Sequence, residues 1–193
     1  MTAGLDEAER RLAARDYRGA HELILAAIGA DDTNGRAWFL MGVIAADHGN
    51  AGRAAELFEK AALLDPQEPG GHAFLARARL GLSDDAAARA AVARAIALAP
   101  AAPLTMDTIG VVLARLGDHA GALAWFEGAT AGAPGVAAYW YNLGISREFL
   151  GDFAGAEAAL LTSLRLDKDQ PRAWWALAGL RRQTPEDGRT VDL

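Results

Sequence analysis

The sequence predicts an all-α fold of stacked helical hairpins, about five and a half of them. Three observations predict it. Residues of one kind recur every thirty-four positions: Ala20, Ala54, Ala88, Ala122 and Ala156; Asp16, Asn50, Asp84, Asp118 and Asp152; Ala8, Gly42, Ala76, Gly110, Gly144 and Ala178. The count runs through all 193 residues without an insertion. Turn signals alternate between Gly-Asp or Gly-Asn pairs and prolines, as a helix–turn–helix unit followed by another would require. The expected domain organisation is a single array over 1–182 and a flexible tail or linker over 183–193.

Residues 1–34 keep the second half of the pattern, through Asp16, Ala20, Ile24 and Ala27. Residues 35–68 state it in full. Trp38, Met41, Gly42 and Ala45 recur at helical spacing in a first helix from about Arg36 to His48. Gly49 ends that helix in a left-handed turn, and Asn50 caps a second helix carrying Ala54, Phe58 and Ala61 on one face. Leu64, Asp65 and Pro66 close the unit. Gly42 and Ala54 belong where the two helices cross, because only small side chains permit close approach. Phe58 is expected to fill the space beside Trp38 and Met41.

Residues 69–102 depart from the pattern with His72 and Ala76, and Asp84–Asp85 there reads as a helix cap followed by a first-turn acid. Residues 103–136 and 137–170 return to it through Gly117–Asp118 and Gly151–Asp152. The motif restarts at Trp174, Leu177 and Ala178 and stops after one helix, expected over 171–182.

Composition excludes several functions. The net charge is −6, from 25 acidic and 19 basic residues, with no basic stripe to displace counterions from phosphates, so nucleic acid is not an expected partner. There is no cysteine for a disulfide or a thiolate. The uncharged stretch from Gly128 to Ser146 is broken by Gly132, Pro134 and Gly135, which argues against a membrane span. A cytoplasmic location is expected. His21, His48, His72 and His119 fall at unrelated phases, so neither metal nor cofactor is expected. No constellation suits a general acid, base or nucleophile, and the chain reads as a non-enzyme.

These phases resemble the tetratricopeptide repeat family, whose motif runs Trp, Leu-Gly, an aromatic, then Ala, Phe and Pro. Residues 35–68 carry Trp38, Met41–Gly42, Ala54, Phe58 and Pro66; residues 103–136 carry Ile109–Gly110, Ala122, Phe126 and Pro134; residues 137–170 carry Trp140, Leu143–Gly144 and Ala156. The resemblance implies a right-handed superhelical solenoid whose concave groove is lined by the first helix of each repeat. It implies a non-catalytic protein–protein interaction scaffold that holds a peptide or helix in that groove. The implied contact residues are Phe39, Val43, Phe74, Arg77, Tyr141, Asn142, Ile145, Arg172 and Trp175. Tyr141 and Trp175 stand out as anchors because each adjoins a Trp at the core phase, and neighbours on a helix point about 100° apart.

The family's two-carboxylate clamp for acidic C-terminal peptides is not matched. Asn142 and Arg172 fill two of its places, but Asp107, Val111 and Ala176 fill others. The stretch 177–187 resembles the junction of bacterial repeat–sulfotransferase fusions, which offers an alternative: a substrate-recognition or regulatory module of a transferase whose catalytic domain lies elsewhere. The apolar last helix, with Trp174 and Trp175, raises homodimerisation through that end as a further expectation.

Overall fold

The computed structural model describes residues 2–183, and the side chains of residues 3–180. The described residues form eleven α-helices: α1 (Thr2–Ala13), α2 (Tyr17–Ala30), α3 (Gly35–Asp47), α4 (Ala51–Leu64), α5 (Pro69–Gly81), α6 (Asp85–Ala97), α7 (Pro103–Arg115), α8 (His119–Gly132), α9 (Ala137–Phe149), α10 (Phe153–Leu166) and α11 (Pro171–Gln183). The chain divides into two compact units, Met1–Pro100 with α1–α6 and Ala101–Leu193 with α7–α11. Residues 184–193 of the expected tail lie outside the described residues.

The second helix of every hairpin starts the same way. The carboxylate or amide oxygens of Asp16, Asn50, Asp84, Asp118 and Asp152 accept from the backbone N–H three residues on, at 2.8 to 3.1 Å. Each satisfies a donor that the helix itself leaves orphaned. The residue before each cap is left-handed in all five hairpins. Gly49, Gly117 and Gly151 have φ of 75°, 87° and 81°, while Arg15 and Ser83 hold the same turn at 61° and 59°.

Each hairpin crosses at one small residue. A Cβ on Gly42 would lie 2.6 Å from Phe58 Cε1, one on Gly110 2.6 Å from Phe126 Cε1, and one on Gly144 2.9 Å from Leu160 Cγ. Where the small residue is alanine, the residue at the facing phase is β-branched: Ile24 for Ala8, Val92 for Ala76. All of these are buried. The first repeat is therefore a complete hairpin, with Leu5 and Ala8 of α1 packed into Ala20 and Ile24 of α2. Only its second half is visible in the motif because α1 has Gly4 at the phase of the Trp and Ala8 at the phase of the Gly.

The repeated Trp does a different task from the one expected. Its indole N–H caps the turn behind it: Trp38 donates to Asp32 O at 2.8 Å, Trp140 to Pro134 O at 2.9 Å and Trp174 to Lys168 O at 2.9 Å. Trp38 is half-buried, with Lys60 Nζ 3.5 Å from its ring centroid. The rings beside Phe58 are Phe39 and Phe74. Trp174 is 53% exposed, which corrects its reading as a core residue.

Two hairpins also share an ionic pattern. Arg79 reaches back to Glu59 at 3.1 Å and lies 4.0 Å from its own cap, Asp84. Arg147 does the same with Glu127 at 3.0 Å and Asp152 at 3.8 Å.

Candidate functional site

In unit 1, Phe39 and Val43 lie on α3, and Phe74 and Arg77 on α5. Phe39, Phe58 and Phe74 form a three-ring cluster with centroids 5.0 to 5.5 Å apart, tilted or edge-on as aromatic quadrupoles prefer. Arg77 lies over the Phe74 ring, 4.5 Å from its centroid. Phe74 is 3% exposed, so most of its surface is spent on this cluster. Phe39 and Val43 are half-buried against it. An open cavity of about 380 Å³ borders the cluster, lined by Ala46, Asp47, Phe58, Phe74, Arg77 and Gly81 among others. Of the four residues expected here, Phe74 and Arg77 line the cavity, while Phe39 and Val43 support it from behind. Arg36, at the start of α3, is taken up by Asp6 at 2.6 Å and Glu9 at 2.8 Å.

In unit 2, Tyr141, Asn142 and Ile145 lie on α9, and Arg172 and Trp175 on α11. The first three line an open cavity of about 300 Å³, with Val111 and Arg115 of α7, His119 and Phe126 of α8, and Phe149 of α9. Tyr141 also packs against the buried cluster of Leu160, Leu164, Leu177 and Leu180, which steadies its ring. The Asn142 Nδ2 donates to Asp107 Oδ1 at 2.8 Å. That bond joins two of the clamp positions to each other and sets the Asp107 carboxylate beside the amide, where it would repel a ligand carboxylate. Burial, and secondarily the Asp107 carboxylate, hold the Tyr139 phenol above the ordinary tyrosine range.

Arg172 and Trp175 do not line this cavity. Trp175 is 74% exposed, the most exposed aromatic on α11. Sequence reasoning missed Arg115, His119 and Phe149. His119 and Phe149 stack with centroids 4.1 Å apart and planes 8° from parallel, and His119 Nδ1 lies 3.3 Å from Ser146 Oγ. They stand at the seventeenth and thirteenth repeat positions, outside the contact phases that the family suggests. The signal available was a histidine and an aromatic at the two phases where Ala51 and Gly81 meet in unit 1.

Two other histidines also have structural partners. His48 Nδ1 lies 2.8 Å from Ile44 O with its ring edge-on to Tyr17, and His72 Nε2 lies 3.2 Å from Pro66 O. Among the described residues, no three His, Asp or Glu side chains gather in a way that could hold a metal ion. Among them, too, no helix is long and apolar enough to cross a membrane.

The sequence pattern of the tetratricopeptide repeat family matches residues 5–69, 74–137 and 141–188. The last of these stretches takes in 177–187, so what is matched over the segment expected to be a sulfotransferase junction is the repeat itself. No curated protein matches the chain. Solved structures share its fold. A chain of the APC/C hetero-tetramer Cut9–Hcn1 superposes with a TM-score of 0.81 at 22% identity, over 96% of this chain. This chain spans only 37% of that protein's length. A thermophilic repeat protein of Thermus thermophilus gives a TM-score of 0.74 at 18% identity, covering 93% of this chain and 97% of its own. YrrB, described as a repeat protein with an unusual peptide-binding site, gives 0.58 at 21% identity, over 90% of this chain and 89% of its own.

Proposed function

The chain belongs to the tetratricopeptide repeat family, and from that premise we propose that it is a non-catalytic scaffold for protein–protein interaction, holding a peptide or helical segment against the first helices of its hairpins. The observation that carries this reading is the unit 2 cavity. Val111, Tyr141 and Ile145 are half-buried there over Phe126, presenting apolar surface that α7–α10 leave uncovered. Concave, mostly apolar surface with a few oriented polar groups is what segment recognition uses. The peptide-binding site ascribed to YrrB, a protein of the same fold, supports the reading.

A photo-crosslinking amino acid in place of Tyr141, with a control in place of the exposed Ala158 on α10, tests the proposal. Protein adducts formed from position 141 and not from 158 support it. Adducts of equal yield at both positions, or none from 141, sink it.

A second reading has its own observation. Trp174 and Trp175 are 53% and 74% exposed on one helix, which favours self-association through α11. Light scattering over a concentration series decides it: a mass that rises towards twice 20.2 kDa supports the dimer, and a constant 20.2 kDa removes it.

A further inference from the structure

The two cavities occupy the same phase of the repeat, one in each unit, and their linings differ in chemistry. Phe58 and Phe126 are equivalent floors, and Ala46 and Ala114 equivalent walls. Asp47 in unit 1 stands where unit 2 has Arg115, and Arg77 where unit 2 has Ile145. The unit 2 cavity is thus apolar inside, with one guanidinium at its edge.

That guanidinium is available. Arg115 is exposed, and no hydrogen bond or ion pair engages it among the described residues. The acids around it are otherwise placed. The Asp118 carboxylate accepts from Gly121 N at 2.8 Å as the cap of α8, Asp107 holds Asn142 at 2.8 Å, and Glu148 of α9 is not part of the lining. The interior offers few polar groups: one N–H of Asn142 is taken by Asp107, and His119 lies with its ring stacked on Phe149 and Nδ1 3.3 Å from Ser146 Oγ. A volume of about 300 Å³ lies at the lower end for ligand pockets, which suits a side chain or two better than a folded element.

We infer that this cavity takes a peptide segment in which an apolar side chain adjoins a carboxylate, the apolar group entering between Val111 and Ile145 over Phe126 and the carboxylate meeting Arg115. The inference rests on the interaction-scaffold reading and narrows it to one partner chemistry. A basic neighbour in the ligand is repelled by Arg115, and a polar one gains no charge-assisted contact. The equivalent cavity of unit 1, with Asp47 at that position, lacks this preference.

The test is a random dodecapeptide library displayed on phage and panned against the full chain, then against Ile145→Asp and Arg115→Glu variants shown by circular dichroism to keep their helicity. The wild type is expected to enrich peptides with Leu, Ile or Phe beside Asp or Glu. A synthetic peptide from that set should lose roughly tenfold or more in affinity for Ile145→Asp, and roughly fivefold for Arg115→Glu. Replacing its carboxylate by Lys should restore binding to Arg115→Glu. Enriched peptides that bind both variants as they bind the wild type, or that tolerate Gln for the carboxylate, overturn this inference and leave the broader scaffold reading standing. Enrichment of no peptide counts against both.

Discussion

His72 Nε2 and the carbonyl of Pro66 lie 3.2 Å apart, six residues from ring to turn, the same separation that joins Trp38 to Asp32 and Trp140 to Pro134. The carbonyl of Pro66 can only accept, so the ring nitrogen carries the proton. The third hairpin therefore keeps the turn-capping contact of the motif with a smaller ring. Trp140→Phe removes the donor together with part of the ring, and should cost about 1 kcal/mol or more in denaturant unfolding. An unchanged midpoint would mean that water replaces the bond at no cost.

The left-handed turns at Arg15 and Ser83 carry strain that their glycine counterparts do not, since a Cβ in that conformation costs about 1–2 kcal/mol. Arg15→Gly and Ser83→Gly should each stabilise the fold by about 1 kcal/mol, less what glycine adds to the freedom of the unfolded chain. Gly117→Ser should do the opposite. Thermal melts of the three variants give the signs directly.

The crossings predict a coupling. Gly110→Ala forces its Cβ against Phe126 and should cost about 1–3 kcal/mol. Val92→Phe should cost a similar amount, because Ala76 stands where the other phenylalanines meet glycine. Adding Ala76→Gly to Val92→Phe should recover part of the loss, a non-additive cycle of about 1 kcal/mol between facing residues. Additive effects would show that α5 and α6 do not meet at that pair.

Stability should fall at both ends of the pH scale for opposite reasons. The Tyr139 phenol binds its proton more tightly in the folded state, so its contribution is complete below about pH 10 and is lost as pH rises through the folded value. Tyr139→Phe should flatten the alkaline limb. Glu7 is held low by hydrogen bonds from Arg10 and then Arg11, and Asp31 by the Thr33 hydroxyl and then its backbone N–H. Their contributions are present above the ordinary carboxylate range and are lost as pH falls through the lowered values. Unfolding monitored from about pH 2 to about pH 12 in Glu7→Gln and Tyr139→Phe separates the two limbs.

How much of this was legible follows from what repeats. Caps, crossings and turns were readable because Asp118 and Asp152, or Gly110 and Gly144, do one task in successive hairpins, and each recurrence confirms the last. The ring cluster of Phe39, Phe58 and Phe74 was not, since Phe74 has no aromatic counterpart at its phase and the facing of the three rings is set by tertiary packing. Asn142 was recognised as a groove position, yet its engagement by Asp107 comes from a residue thirty-five positions away, beyond any local pattern. Arg115, His119 and Phe149 escaped for a related reason: they differ from their counterparts, and difference alone does not tell a contact from a tolerated change.

The ion pairs Glu59–Arg79 and Glu127–Arg147 occur two hairpins apart, and the adjoining repeats hold Ala45, Leu113, Leu25 and Ala93 at those phases instead. The hairpins are thus not interchangeable bricks. A chain rearranged by one repeat would set Arg79 or Arg147 against an aliphatic neighbour and leave a glutamate facing another. A rearrangement by two would restore both pairs. Each exposed pair is worth little in stability, but together they write a parity into the array: its charge register repeats every two hairpins, not every one.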